Sequence, residues 1–215
     1  AEDNAIKQLK RAENLYKERF SRQEKKINHK KNKKIRIGYF SADFKDHPVM
    51  HLIYRIFELH DASNFEIFIY SFNAEENIFT KRLKNFVFSL KYLDGLSDLD
   101  VVKLVRNDHI DIAIDLMGYT KYHRMPIFSY RVAPIQINYL GFPGSVGSND
   151  IDYIIADNIT IPKENEKFYS EKIIRMPNSF QCNDNKKEIS KESICRKDFN
   201  LPDQGFIFTC FNNNY

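Results

Sequence analysis

The sequence predicts an α/β domain, doubly wound around a mainly parallel sheet, and two observations carry that expectation. Short apolar runs rich in β-branched residues alternate with segments of helical or turn character over residues 35–176. The runs are continuous rather than alternating polar and apolar, which is the pattern of strands covered on both faces. Such a sheet is Rossmann-like in its layering, with helices on either side.

Taken in order, Ile6, Leu9, Ala12, Leu15, Tyr16 and Phe20 recur at helical spacing, so residues 4–24 should form an amphipathic helix that packs on the domain. A basic linker follows, containing "KKINHKKNKK". The expected strands are "IRIGYF", "FEIFIYSF", "FSLKYL", "IDIAIDL", "IQINYL", "IDYIIA" and "KIIRM". Between the first two, "PVMHLIYRIFELHD" has helical period, with Pro48 suited to a first turn, which predicts a crossover helix over 48–60. "SDLDVVKLVRNDH" has the same period between the third and fourth runs. After "MPNSF" the chain turns polar, and "FIFTCF" reads as one further strand near residue 206.

Composition narrows the function classes. With 215 residues, 42% hydrophobic, the chain can bury a full core and is not expected to be disordered. Three cysteines at no metal-ligand spacing argue against a disulfide framework and for a reducing, cytoplasmic setting. No run approaches the roughly 18 apolar residues of a membrane span. The net charge of +4 is uneven: residues 1–34 hold twelve Lys/Arg against five Asp/Glu, a net of +7 that leaves −3 elsewhere. That basic run lacks aromatic interleaving, so a solvated linker is expected and nucleic-acid binding is not. No G-x-S-x-G, P-loop or H-E-x-x-H points to a hydrolase or phosphate-loop enzyme.

In open parallel sheets ligands bind beyond the carboxyl ends of the strands, near the point where strand order reverses. Three unusual stretches fall at such ends: "SADFKDHP", "MGYTKYHR" and "GFPGSVGSND". In the first, Pro48 puts His47 at or beside a helix N-cap, where it can accept a hydrogen bond or act as a base, and Asp43 can orient it. The plainer reading is that Asp43 and Asp46 cap the helix, His47 is a polar surface residue, and His51 is a packing histidine. In the second, Tyr119, Lys121 and His123 can meet a phosphate or carboxylate, or simply be solvated. In the third, Gly141, Gly144 and Gly147 do not make a dinucleotide fingerprint. They allow close backbone approach to a ligand, or form an ordinary turn.

The blocks "RIGYFSADFKDHPVMHL", "DLMGYTKYHR", "APIQINYLGFPGSVGSNDIDYIIAD", "YSEKIIRMPNSF" and "FNNNY" together resemble, in order, the O-linked N-acetylglucosamine transferase and SPINDLY family. The resemblance implies a two-lobed GT-B glycosyltransferase, generally preceded by tetratricopeptide repeats. Residues 1–33 then form a linker helix and basic arm, 34–203 the N-terminal catalytic lobe, and 204–215 the first strand of a C-terminal lobe. It implies inverting, metal-independent transfer of a sugar from a nucleotide donor, UDP-N-acetylglucosamine foremost, to Ser or Thr of a protein, with no further cofactor. His47 and Asp43 match catalytic or acceptor-side groups; Leu140, Gly141 and Pro143 match the donor-sugar pocket; Tyr119 and Lys121 match residues near the cleft. The family's diphosphate-binding lysine and a further active-site histidine have no match in residues 1–215, so this stretch alone is expected to be inactive and to self-associate through an exposed lobe face. The rival reading is a non-catalytic protein-binding module built on one lobe.

Overall fold

The computed structural model describes residues 4–20 and 27–210. These form two units, one through Asn185 and one from Lys186 onward.

The first unit is a seven-stranded sheet. Its strands are β1 (Ile35–Ser41), β2 (Phe65–Ser71), β3 (Ser89–Tyr92), β4 (Ile112–Asp115), β5 (Ile135–Asn138), β6 (Tyr153–Ala156) and β7 (Lys172–Arg175). They are ordered β3-β2-β1-β4-β5-β6-β7, and every pair is parallel. The chain therefore winds outward from β1 to β3, crosses to β4, and winds outward the other way. The reversal lies between β1 and β4, where Phe40 stands beside Asp115. All seven expected runs are strands, and the sheet is wholly rather than mainly parallel.

Helices cover both faces. On one, α1 (Ala5–Arg19), α4 (Asp98–Asn107) and α5 (Pro126–Ser129) pack with Phe40, Tyr70 and Ala113 through Tyr16, Val101, Val105 and Phe128. On the other, α2 (Pro48–Leu59) and α3 (Ile78–Leu83) bury Met50, Ile53, Phe57 and Leu83 against Ile37, Ile69, Ile114 and Ile137. The two cores follow from the period-2 alternation of each strand, which sends Ala113 to one face and Ile114 to the other. α1 ends with Phe20 as its C-cap, and residues 21–24 of the expected helix lie outside those described. Its Tyr16 hydroxyl donates to Asp150 at 2.6 Å, which moors the helix beside the loop after β5. α2 runs as expected, one residue shorter.

Residues 27–34 are held more firmly than a solvated linker. His29 and Asn32 bond the Asp111 carboxylate at 2.7 and 2.8 Å, and the Arg36 N–H bonds it at 2.8 Å. No helix among the described residues is long and apolar enough to cross a membrane.

The second unit holds a 3-10 turn, Arg196–Phe199, closed by Arg196 donating to the carbonyls of Pro202 and Gly205. Residues 206–210 carry no strand; Phe206 and Phe208 meet edge to face at 4.8 Å. The rest of the expected terminal strand, with the "FNNNY" block, lies outside the described residues.

Candidate active site

Three loops at the carboxyl ends of β1, β4 and β5 enclose a cleft of about 320 Å³ beside the reversal of strand order. The first supplies Asp43, Lys45 and His47, the second Lys121 and Tyr122, the third Gly141.

The first loop is short and tightly held. Asp43 N–H donates to Ser41 Oγ at 2.9 Å, Lys45 N–H to the Asp43 carbonyl at 2.8 Å, and Asn77 reaches across from α3's N-cap to the Phe44 carbonyl at 2.8 Å. The chain enters α2 through His47, which has extended backbone and is itself the N-cap: its Nδ1 accepts the Val49 N–H at 3.3 Å, with Pro48 at the first helical position. Neither aspartate caps the helix. Asp46 bonds His51 at 2.7 Å, and His51, exposed rather than packed inside, meets the Phe79 ring edge to face. Asp43 turns inward, its Oδ2 3.5 Å from His47 Nδ1. Burial raises the Asp43 carboxyl above the ordinary carboxylate range, while the charges of His47 and Lys45 act the other way.

The second loop starts from a buried anchor. Asp115, at the end of β4, accepts the N–H groups of Met117 and Gly118 at 3.0 and 2.8 Å, and the Met117 carbonyl then accepts from Thr120. Lys121 lies 4.9 Å from the centre of the Tyr122 ring. Tyr119 faces away from this opening: its hydroxyl donates to the Val146 carbonyl at 2.7 Å and its ring meets Phe142 and His123. His123 is less basic than usual, through burial and the charge of Arg19.

The third loop lies against the second. A Cβ on Gly141 would stand 1.9 Å from the Leu116 carbonyl oxygen, so only glycine permits this backbone approach. Gly118 has φ +55°, and a Cβ there would stand 2.4 Å from the Phe142 Cβ and 2.7 Å from its ring. Asn138 donates to the carbonyls of Phe142 and Gly144, while Glu171 accepts from Ser145 Oγ and the Val146 N–H, both at 2.7 Å. Leu140 takes φ +71° and packs with the α2-side core, and the Pro143 carbonyl accepts from Tyr169.

Of the residues expected from sequence, the structure thus brings Asp43, His47, Lys121 and Gly141 onto one cleft. Tyr119, Leu140 and Pro143 sit on the same loops but do not line it. Lys45 and Tyr122 line it without having been expected there; for Lys45, its place between Asp43 and His47 was the available signal. Among the described residues no group of three His, Cys, Asp or Glu side chains gathers as metal ligands would. The cleft can hold a polyhydroxylated or anionic group against two lysines and a glycine backbone, next to a carboxyl–imidazole pair able to move a proton.

A wholly parallel sheet with helices on both faces and a cleft at the reversal of strand order defines a Rossmann-like lobe. The chain belongs to glycosyl transferase family 41, whose profile matches residues 1–192. It is similar to the probable UDP-N-acetylglucosamine–peptide N-acetylglucosaminyltransferase SEC of Arabidopsis thaliana, with 36% identity over 189 residues, 85% of this chain and 19% of that protein. It is also 36% identical over 156 residues to the UDP-N-acetylglucosamine–peptide N-acetylglucosaminyltransferase of Caenorhabditis elegans, covering 70% of this chain and 13% of the relative. Among solved structures, a mutant of the Thermobaculum terrenum O-GlcNAc transferase superposes with a TM-score of 0.77 at 25% identity, over 84% of this chain and 36% of that one. The chain spans less than a fifth of the length of these curated relatives.

Proposed function

We propose that the chain is the N-terminal catalytic lobe of a protein O-glycosyltransferase that moves N-acetylglucosamine from its UDP donor to a Ser or Thr hydroxyl, with inversion and without a metal ion. The observation that carries this reading is the Asp43–His47 pair sharing one cleft with Lys121 and Gly141 in a family 41 chain. The names of the relatives support the donor and the peptide acceptor.

In such a transfer the acceptor oxygen attacks the anomeric carbon, and the bond from that carbon to the diphosphate breaks with its electron pair leaving on UDP. The hydroxyl proton must pass to a base. His47 serves if Asp43 holds the proton of Nδ1, which frees Nε2 to accept. Lys45 and Lys121 supply positive charge where negative charge gathers, and the Gly141 backbone lets the sugar lie close to the loop. A non-catalytic binding module does not need a carboxyl–imidazole pair inside a ligand-sized cleft.

The test is a donor panel. The full-length protein is incubated with UDP-N-acetylglucosamine, other UDP sugars and a GDP sugar, together with Ser/Thr peptides, while nucleotide release and the anomeric configuration of the product are followed. The proposal expects release coupled to a β-linked product from the α-linked UDP-N-acetylglucosamine. Release without peptide modification, or transfer from none of the donors, contradicts it.

A further inference from the structure

We propose that Asp115 is a carboxylic acid that donates its O–H to Asn138 Oδ1, and that this buried acid–amide pair is a positioning device setting the spacing of the loops that carry Lys121 and Gly141. The inference that these loops serve the reaction rests on the proposed function; the inference about the proton does not.

The two residues are register partners on adjacent parallel strands, β4 and β5. Partners in a parallel ladder send their side chains to the same face about 4.8 Å apart. Both are buried, Asp115 at 1% and Asn138 at 0% exposure. The Asn138 amide orientation is fixed by its own bonds, because the NH2 group donates to two carbonyls, Phe142 at 3.1 Å and Gly144 at 3.4 Å. Its Oδ1 is left buried without a donor among the described residues. A buried amide oxygen with nothing to accept from is costly, and a donor is expected beside it.

Asp115 is the neighbour able to supply one. Its two oxygens accept the N–H groups of Met117 and Gly118, and a neutral carboxyl keeps acceptor capacity alongside its O–H. Full burial pushes its pKa up to about 7, only partly offset by those two N–H groups, and no cation figures among the influences on it. The titratable side chain coupled to it is Tyr119 on the following turn, whose hydroxyl is engaged by Val146.

The consequence is mechanical. Asp115 holds the start of the Lys121 loop by Met117 and Gly118; Asn138 holds the Gly141 loop by Phe142 and Gly144. A hydrogen bond between them joins the loops beneath the cleft, where Gly141 already lies against the Leu116 carbonyl.

The experiment is infrared difference spectroscopy of the full-length protein at about pH 6, wild type against Asp115→Asn. The pair predicts a protonated-carboxyl C=O band in the wild type that shifts on 13C-Asp labelling and is lost in Asp115→Asn. Absence of such a band overturns it by showing Asp115 ionised, and a band whose frequency is unchanged in Asn138→Leu overturns it too, because the O–H is then not given to the Asn138 amide. Transfer kinetics form the second arm. Asp115→Leu should lower kcat by a factor on the order of 10² through loop displacement, and Asp115→Asn, which keeps a donor and an acceptor, should recover part of that loss. Equal losses in the two variants overturn the positioning role. A normal band in a protein that transfers no sugar overturns the proposed function instead.

Discussion

His47 Nδ1 stands 3.3 Å from the Val49 N–H and 3.5 Å from Asp43 Oδ2, so one ring nitrogen has two competing partners. If Nδ1 accepts from Val49, the neutral ring carries its proton on Nε2 and caps the helix. If Nδ1 donates to Asp43, Nε2 is free to take a proton. The first form caps the helix, the second is the one the proposed base requires, and the Asp43 carboxylate favours the second.

Replacing His47 separates these roles. His47→Ala removes the cap and should cost about 1 kcal/mol, read as a lower melting temperature. His47→Asn restores a capping acceptor and should recover most of that stability while leaving transfer as slow as in the alanine variant. Recovery of both together would show that His47 matters only through the helix.

Asp43→Ala should behave in the opposite way. A carboxyl whose folded pKa is raised above its unfolded value loses stability as pH rises between the two, so removing it at neutral pH leaves the melting temperature unchanged or higher. Transfer should nonetheless fall by on the order of tenfold or more, because Nδ1 then favours Val49. Steady-state kinetics and calorimetry on the same preparation check both.

Gly141→Ala should destabilise the lobe by about 1–3 kcal/mol and slow transfer, since the new Cβ meets the Leu116 backbone oxygen rather than a side chain that could swing aside. Denaturant midpoints of the two proteins give the difference.

Much of this was legible from sequence where the signal is local. The strands stood out because both faces are buried, which leaves continuous apolar runs such as Ile67–Tyr70. α2 was legible from Pro48. α3 and α5 were not, because six and four residues are too few to display a helical period. At the site, Asp43, His47, Lys121 and Gly141 were legible because they follow strands on either side of the order reversal. The role of Tyr119 was not: its bond to the Val146 carbonyl spans two loops and depends on how they pack. Asp115 was hidden for the same reason, its partner being set by the β4–β5 register.

Acid should reveal a separate anchor. Asp157, after β6, accepts from the N–H groups of Ile159, Thr160 and Phe180, and these bonds hold its carboxyl down at about 2. A depressed folded pKa gives stability that is present above the unfolded value and lost as pH falls through the folded one. Asp157→Asn should therefore melt lower than the wild type at all pH values above roughly 4, with the gap closing as pH falls toward about 2. A gap independent of pH would mean that the ionised carboxylate is not what holds the turn.

The central claim, that the cleft between the β1, β4 and β5 loops is where sugar is transferred, is tested most directly by mass spectrometry of an acceptor peptide incubated with UDP-N-acetylglucosamine and the full-length protein, wild type or His47→Ala. Addition of one N-acetylglucosamine to a Ser or Thr by the wild type is expected, with a rate on the order of 10²-fold lower for His47→Ala. Equal rates from the two proteins would contradict it and place the chemistry elsewhere.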